Sequence, residues 1–310
     1  MVQELTENMY MDDWISGADD DLEACGMFQE ADSIMREASM TLAKFGSSSD
    51  VVSDMLQKQF EDKYLGSDSI KVLGMKWLPQ SDCFVFGGVD VPQDLMITKR
   101  VVLSLVSRLF DPLGFLNPFQ VTAKILFQDL WKLSVDWDDP IPDELQLAFS
   151  TWITDLQLIK SWVIPRRYFD IPWREASQLQ LHAFGDASER AYGACVYLRV
   201  SKPDRSFSST LVISKVKVAP LKNLTIPRLE LMGSLLCARL LVFVRKALKL
   251  SEDTVYVCWT DSMVALSWIK GESHRLKQFV GNRVAEIQSL TDTVCWRHCP
   301  GFNTGTGMGN

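Results

Sequence analysis

Three carboxylates stand at similar places in the chain, each at the end of an apolar run or near the start of one. Asp186 ends the run LQLHAFGD, Asp261 ends VYVCWTD, and Glu230 lies early in the helical pattern LTIPRLELMGSLL. Strand, helix and strand in this order predict a right-handed βαβ unit, which brings all three acids to one edge. Like charges clustered there repel one another unless divalent cations bind. Oxygen ligands suit Mg²⁺ or Mn²⁺, and two such ions about 4 Å apart can clamp an in-line phosphoryl displacement.

The elements that position these acids are predicted to be five strands with helices between and after them. Apolar and β-branched runs predict the strands at residues 179–185, 192–200, 210–220, 255–260 and 293–301. Thr225 fits an N-cap, and Pro227 is tolerated in the first turn of the helix that follows. The buried stripe predicted for that helix is Leu229, Met232, Leu236, Leu240 and Phe243. Further helices are predicted at residues 262–270 and 275–290, so the fold class is α/β. Three surface acids on an unrelated α/β domain are the alternative.

Composition describes an ordinary globular protein. The 310 residues are 47% hydrophobic and 23% charged, and no apolar run has the length of a membrane span. The net charge of −7 is uneven, since residues 1–70 hold 16 Asp/Glu against 4 Lys/Arg while the remainder holds 23 against 28. Seven cysteines without paired spacing predict reduced thiols and an intracellular protein.

A family resemblance rests on three segments in order. HAFGDASERAYGACVYL, TIPRLEL and VYVCWTDSMVALSWIKG, at residues 182–198, 225–231 and 255–271, closely resemble the ribonuclease H domain of BEL/Pao-type retrotransposon polyproteins. The resemblance implies a mixed five-stranded ribonuclease H-like sheet, two Mg²⁺ or Mn²⁺ ions, and hydrolysis of RNA in RNA–DNA hybrids. It also implies that Asp186 bridges both ions, that Glu230 holds the ion near the leaving oxygen, and that Asp261 positions the ion that activates water.

The N-terminal segment, residues 1–91, resembles the end of a reverse-transcriptase palm. Tyr10, Asp12 and Asp13 form a Tyr-x-Asp-Asp pattern, although an Asp pair in a turn is usually turn chemistry alone. Leu73, Gly74 and Trp77 resemble the primer-grip segment of such polymerases. The partner carboxylate and the fingers are missing from the chain, as are the other polyprotein segments, so we expect no polymerase activity. DDDLEAC, at residues 19–25, is interpreted as a solvated loop or cap.

Residues 92–176 are predicted to be a helical connection region, and SRLFDPLGFLNPF at residues 107–119 resembles a stretch of that region in BEL/Pao elements. Apolar spacing predicts helices near 98–110 and 119–133, with Trp131 on the apolar side of the second. A third helix is expected to bury Leu147, Trp152 and Leu156.

The ribonuclease H-like domain is expected to span residues 177–301 and to be followed by a disordered tail, residues 302–310. The resemblance stops near Gly301, and no acid follows Asp292, so the family's fourth carboxylate is expected to be missing. Cys295, His298 and Cys299 have the ligand types for zinc but lack a second pair at the required spacing. The competing interpretation is a catalytically dead retroelement remnant that at most binds nucleic acid.

Overall fold

The computed structural model describes residues 2–300 except residues 12, 62, 63, 66–68, 73, 74, 93, 94, 134, 172–175 and 203. The chain divides into two compact units. One comprises Met1–Val91 with Ile153–Trp173, and the other comprises Pro92–Trp152 with Arg174–Asn310. The division into segments 1–91, 92–176 and 177–301 remains a prediction, and the tail at 302–310 lies outside the described residues.

The first unit combines short helices with two small antiparallel sheets. Its helices are α1 (Val2–Asn8), α2 (Asp21–Glu37) and α3 (Asp50–Gln59). Strands β1 (Met9–Tyr10) and β2 (Asp13–Trp14) pair with each other. A four-stranded sheet follows the order β3 (Ile70–Val72), β4 (Met75–Leu78), β5 (Cys83–Val85) and β6 (Val163–Pro165).

Helix α2 begins within the acidic stretch at residues 19–25. The Asp20 side chain accepts a hydrogen bond from the Glu23 backbone N–H and caps the helix, so of the two interpretations of the acidic stretch, loop or cap, the structure has the cap. The acidic residues of the first turn stabilise the helix N-terminus. The helices pack around Phe28, with the rings of Phe45 and Phe60 edge-on at 4.9 and 5.4 Å.

The described part of the second unit begins with three helices. They are α4 (Lys99–Arg108), α5 (Asn117–Lys132) and α6 (Asp143–Leu158), whose last turns belong to the first unit. Trp152 and Leu156 are buried as predicted, but Leu147 is 72% exposed. Trp131, predicted on the apolar side of α5, packs edge-to-face with Phe127 and Trp137 but is still 55% exposed. An apolar stripe does not reveal how wide a face the neighbouring elements cover.

A mixed five-stranded sheet forms the rest of this unit. Its strands are β7 (Ser177–Ala187), β8 (Ala191–Ser201), β9 (Phe207–Val218), β10 (Val255–Thr260) and β11 (Trp296–His298). The order is β11-β10-β7-β8-β9; β10 is parallel to β7 and β11 to β10, while β7, β8 and β9 are antiparallel. The predicted parallel pairing of the two acid-bearing strands is therefore confirmed.

Helix α7 (Ile226–Ala247) provides the crossover between β9 and β10 and packs on β7 and β8. Leu229, Leu236 and Leu240 are buried as predicted, whereas Phe243 is 57% exposed because it lies beyond the covered face. Helices α8 (Met263–Lys270) and α9 (Gln278–Leu290) follow β10.

Candidate active site

Asp186 lies near the end of β7, where α7 comes closest to the sheet. A Cβ atom added at Gly185 would lie 2.7 Å from the Gly233 carbonyl oxygen, and one added at Gly233 would lie 2.6 Å from the Asp186 carbonyl oxygen. Neither distance is tolerated between real atoms, so the close approach requires glycine on both elements. Gly233 lies one helical turn after Glu230, and the contact therefore sets the acid-bearing part of α7 against Asp186.

Asp261 follows β10, the parallel neighbour of β7, and its carboxyl group lies within hydrogen-bonding reach of the Asp186 carboxyl. Burial raises the pKa of Asp186 above its ordinary value, and the negative charge of Asp261 acts in the same direction. The Ala187 N–H, which donates to Asp186 Oδ1 at 2.6 Å, partly offsets this increase. Asp186 is partly shielded from solvent, but both aspartates keep exposed surface, so a ligand can reach the pair.

Glu230 is bound to the segment that follows β10 by a separate hydrogen bond. The Ser262 hydroxyl donates a short hydrogen bond to Glu230 Oε2, and Ser262 directly follows Asp261 in the chain. The Ser262 oxygen also accepts from the Ala265 N–H at 3.1 Å, as the N-cap of α8. The Glu230 carboxylate is thus hydrogen-bonded to the residue that directly follows Asp261.

The donor set fits a hard divalent cation at the aspartate pair. Two exposed carboxylates that repel each other are the oxygen ligands that Mg²⁺ and Mn²⁺ prefer. Within the described ranges, no group of three or more His, Cys, Asp and Glu side chains is spaced to hold one metal ion. The site with all three carboxylates on two ions therefore stays a prediction.

The C-terminal strand supports Asp261 from the other side. His298 Nε2 lies 3.1 Å from the Asp261 carbonyl oxygen, and the Cys299 N–H donates to the Thr260 carbonyl at 2.9 Å. Sequence reasoning missed these contacts because it weighed His298 as a zinc ligand, rejected that for want of a second ligand pair, and assigned the residue no other role. It also missed Ser262, although a serine before an apolar helix is an N-cap signal.

A cationic groove lies where α7, α8 and α9 approach one another. The guanidinium groups of Arg228 and Arg283 lie 5.2 and 3.6 Å from the centre of the Phe279 ring. Arg228 also lines a groove of about 630 Å³ together with Trp268 and Lys277. Fixed positive charge beside aromatic and apolar surface suits a polyanion that also carries flat rings.

Comparison with known families decides the relationship. Residues 98–262 match the family described as Pao retrotransposon-like RNaseH-like domain. The chain belongs to this Pao RNaseH-like family. Its mixed sheet with flanking helices is accordingly a ribonuclease H-like fold.

Solved structures that match parts of the chain were also found. The N-terminal RNase H domain of a Mycobacterium tuberculosis protein, fused to maltose-binding protein, has 17% identity and a TM-score of 0.24 over 39% of this chain and 83% of its own. RNase H1 from Halobacterium salinarum has 12% identity and a TM-score of 0.24 over 39% and 86%. A foamy viral protease-reverse transcriptase in complex with dsDNA has 11% identity and a TM-score of 0.36 over 78% and 47%. Comparison with curated proteins gave no match.

The Pao RNaseH-like match begins at residue 98, well before the sheet, and contacts in the structure show how this preceding segment joins the sheet. Gly114, at φ +77°, lies against β9, where the Ser214 hydroxyl donates to its carbonyl at 2.5 Å. The Asn117 amide donates to Ser214 Oγ at 2.9 Å. At the other end of α5, Asp129 pairs with Arg190 in the turn that follows Asp186. The connection helices therefore cover the β9 edge and brace the Asp186 turn.

The polymerase-like residues lie in the first unit. Asp12, Leu73, Gly74 and the side chain of Tyr10 lie outside the described residues, and Asp13 is exposed on β2. Trp77 Nε1 donates to Asp82 at 3.0 Å. Neither the palm nor the primer-grip interpretation is tested by these contacts, and both stay predictions.

Arg166 and Arg167 are engaged within the protein. Both guanidinium groups form ion pairs with Asp82, at 2.6 and 3.0 Å. This pairing favours a structural role for the two arginines.

None of the helices in the described part of the chain has the length and apolar character needed to cross a lipid bilayer.

Proposed function

We propose that this chain is a divalent-cation-dependent endonuclease that hydrolyses the RNA strand of RNA–DNA hybrids. The observation that carries the proposal is the contact between the Asp186 and Asp261 carboxyl groups at the ends of two parallel strands. In a Pao RNaseH-like chain, this is the edge where a phosphodiester and its cation are expected to bind.

The roles of the residues follow from their placement. Asp186 and Asp261 would hold Mg²⁺ or Mn²⁺, and Glu230 would provide the third carboxylate from α7. A cation bound there would supply stabilisation of the charge that develops on the phosphate during hydrolysis. In the net reaction, water adds to phosphorus, the bond to the leaving oxygen breaks, and that oxygen takes up a proton.

The cationic groove supports a nucleic acid as the substrate. Arg228 and Lys277 carry charge that matches a phosphate backbone, and Trp268 offers a flat surface beside them. We propose that hybrids are recognised by groove shape and 2′-hydroxyls rather than by sequence, because the chemistry must act on any stretch of RNA. All seven cysteines are free thiols, which fits a reducing, intracellular setting.

The test is a cleavage assay with the purified chain on a labelled RNA–DNA hybrid, with Mg²⁺ or Mn²⁺ added separately. Single-stranded RNA and double-stranded DNA serve as substrate controls, and Asp186→Asn as the protein control. Cation-dependent cleavage of the RNA strand that is lost in Asp186→Asn supports the proposal. Binding of hybrid without cleavage would instead support the inactive, nucleic-acid-binding remnant.

A further inference from the structure

Ser262 is placed to serve two elements with a single hydroxyl group. Its side chain is buried, with 5% of the residue exposed. The hydroxyl proton goes to Glu230 Oε2, and the oxygen accepts from the Ala265 N–H at 3.1 Å. The Ser262 backbone N–H donates to Thr260 Oγ1 at 3.2 Å, which fixes the backbone from which the hydroxyl projects. Since a hydroxyl has one proton to donate, its orientation toward Glu230 is set by these contacts.

Glu230 depends on this contact for its orientation. Among the described residues, Ser262 is the hydrogen-bond donor to the Glu230 carboxylate, while the Ser234 hydroxyl donates only to the Glu230 backbone carbonyl at 2.9 Å. A glutamate side chain has several rotatable bonds, so without a partner its carboxylate samples many positions.

We propose that Ser262 is a positioning residue that holds the Glu230 carboxylate beside the Asp186–Asp261 pair. This inference rests on the proposed function, because positioning matters only if the three acids share cations. Ser262 follows Asp261 directly, so the hydrogen bond ties the acid of α7 to the end of β10. Residues that orient a metal ligand typically change cation affinity or activity by about 10- to 100-fold when they are removed.

Four variants separate positioning from helix capping. Ser262→Ala removes both the donor to Glu230 and the N-cap. Ser262→Gly removes the donor but leaves a residue that N-cap positions accept nearly as well as serine. Ser262→Thr keeps a hydroxyl that can do both. Ser49→Ala removes the matching N-cap of α3, whose side chain accepts from the Val52 N–H, far in sequence from the three acids.

The measurement is Mn²⁺ affinity by titration calorimetry on the full chain, with hybrid cleavage and Tm recorded in parallel. Ser262→Ala and Ser262→Gly are both expected to lower Mn²⁺ affinity by about 10-fold or more. Ser262→Gly should lower the Tm less than Ser262→Ala does, because glycine is the better N-cap residue. Ser262→Thr should restore most of the affinity, and Ser49→Ala should leave it unchanged. In a Glu230→Gln background, Ser262→Ala should cause no further loss, since the interaction it removes is already altered.

Two results overturn the inference while leaving the proposed function intact. One is a wild-type Mn²⁺ affinity in Ser262→Ala, with cleavage still abolished by Asp186→Asn. The other is an equal loss of affinity on adding Ser262→Ala to Glu230→Gln. If the folded wild-type chain neither binds Mn²⁺ nor cleaves hybrids, the proposed function itself fails, and this inference fails with it.

Discussion

Gly233 of α7 lies so close to Asp186 that a Cβ atom at position 233 would stand 2.6 Å from the Asp186 carbonyl oxygen. The neighbouring atom belongs to the backbone of a central strand, so it cannot move aside in the way that the end of a flexible side chain can. The position of Glu230 relative to the two aspartates therefore depends on a residue without a side chain.

Gly233→Ala should separate α7 from β7 and lower both stability and cation affinity. Overpacking of this kind typically costs about 1–3 kcal/mol, which urea denaturation can measure. Gly26→Ala is the matched control, because Gly26 lies within α2 and an added Cβ meets no atom within 4 Å. That variant should be neutral or more stable by up to about 1 kcal/mol. Equal behaviour of the two variants would contradict the close approach.

Cation binding should raise the Tm of the protein, which can be measured without an activity assay. Asp186 has a raised pKa, so its ionised form disfavours the folded state, and this penalty disappears as pH falls through the folded-state pKa. Without divalent cations, Asp261→Asn should therefore leave Tm at neutral pH unchanged or higher, because it removes the negative neighbour. Addition of Mn²⁺ should raise the Tm of the wild type and much less that of Asp261→Asn. If Mn²⁺ changes the Tm of neither protein, that result would argue against a cation at the aspartate pair.

The connection region should prove necessary for a stable sheet. Gly114 has φ +77°, and a Cβ there would lie 2.2 Å from the Ser214 carbonyl oxygen. Gly114→Ala combines an unfavourable backbone conformation with this clash, so a loss of at least about 1–3 kcal/mol is expected in denaturation. Gly87→Ala, where nothing lies within 4 Å, is the control and should change little. Unchanged stability of Gly114→Ala would show that the loop is not docked on β9.

Asp82 should stabilise the first unit in a pH-dependent way. Burial alone would raise its pKa, but hydrogen bonds and charge from Arg166, with Trp77 and Arg167, leave the pKa below the ordinary 3.8. A lowered carboxyl pKa gives stability that is present above about 3.8 and is lost as pH falls through the folded-state value. Asp82→Asn should therefore speed hydrogen exchange of the β4–β6 backbone amides at pH 7. The faster exchange should correspond to a loss of about 1–3 kcal/mol in the free energy of unfolding.

The control for Asp82 is Asp90→Asn. Asp90 is fully exposed and pairs with Lys160 at 3.2 Å, so its loss should change stability by less than about 1 kcal/mol. The difference between Asp82→Asn and the wild type should shrink below pH 3.8. A difference that persists unchanged in acid would mean that the carboxylate charge is not its source.

Much of the acid-bearing edge was predictable because local pattern and topology agree there. Short β-branched and aromatic runs locate β7 and β10, the intervening helical stripe locates α7, and a right-handed crossover makes the two strands parallel. The contact between Asp186 and Asp261 follows from that register. The same reasoning predicts that Glu230, early in α7, lies at the edge where the strands end, and its share in the site stays a prediction.

The parts that sequence reasoning missed depend on contacts between distant elements. The exposed Trp131, Leu147 and Phe243 lie on helices whose apolar stripes are wider than the surface that covers them. The hydrogen bond from Ser262 to Glu230 depends on how α7 crosses β10, which no local pattern encodes. The docking of Gly114 on β9 depends in the same way on a long-range contact.

Hydrolysis of RNA in hybrids at the Asp186–Asp261 edge is tested most directly by single-turnover cleavage of a 5′-labelled RNA–DNA hybrid in Mn²⁺. We predict that the wild-type chain cuts the RNA strand and that chelation of the cation stops the reaction. Asp186→Asn should lower the rate by more than about 100-fold, which is the largest loss typical of residues that only orient a metal ligand. Cleavage that survives in Asp186→Asn, or a folded, hybrid-binding wild type that does not cut in Mn²⁺, would contradict the claim.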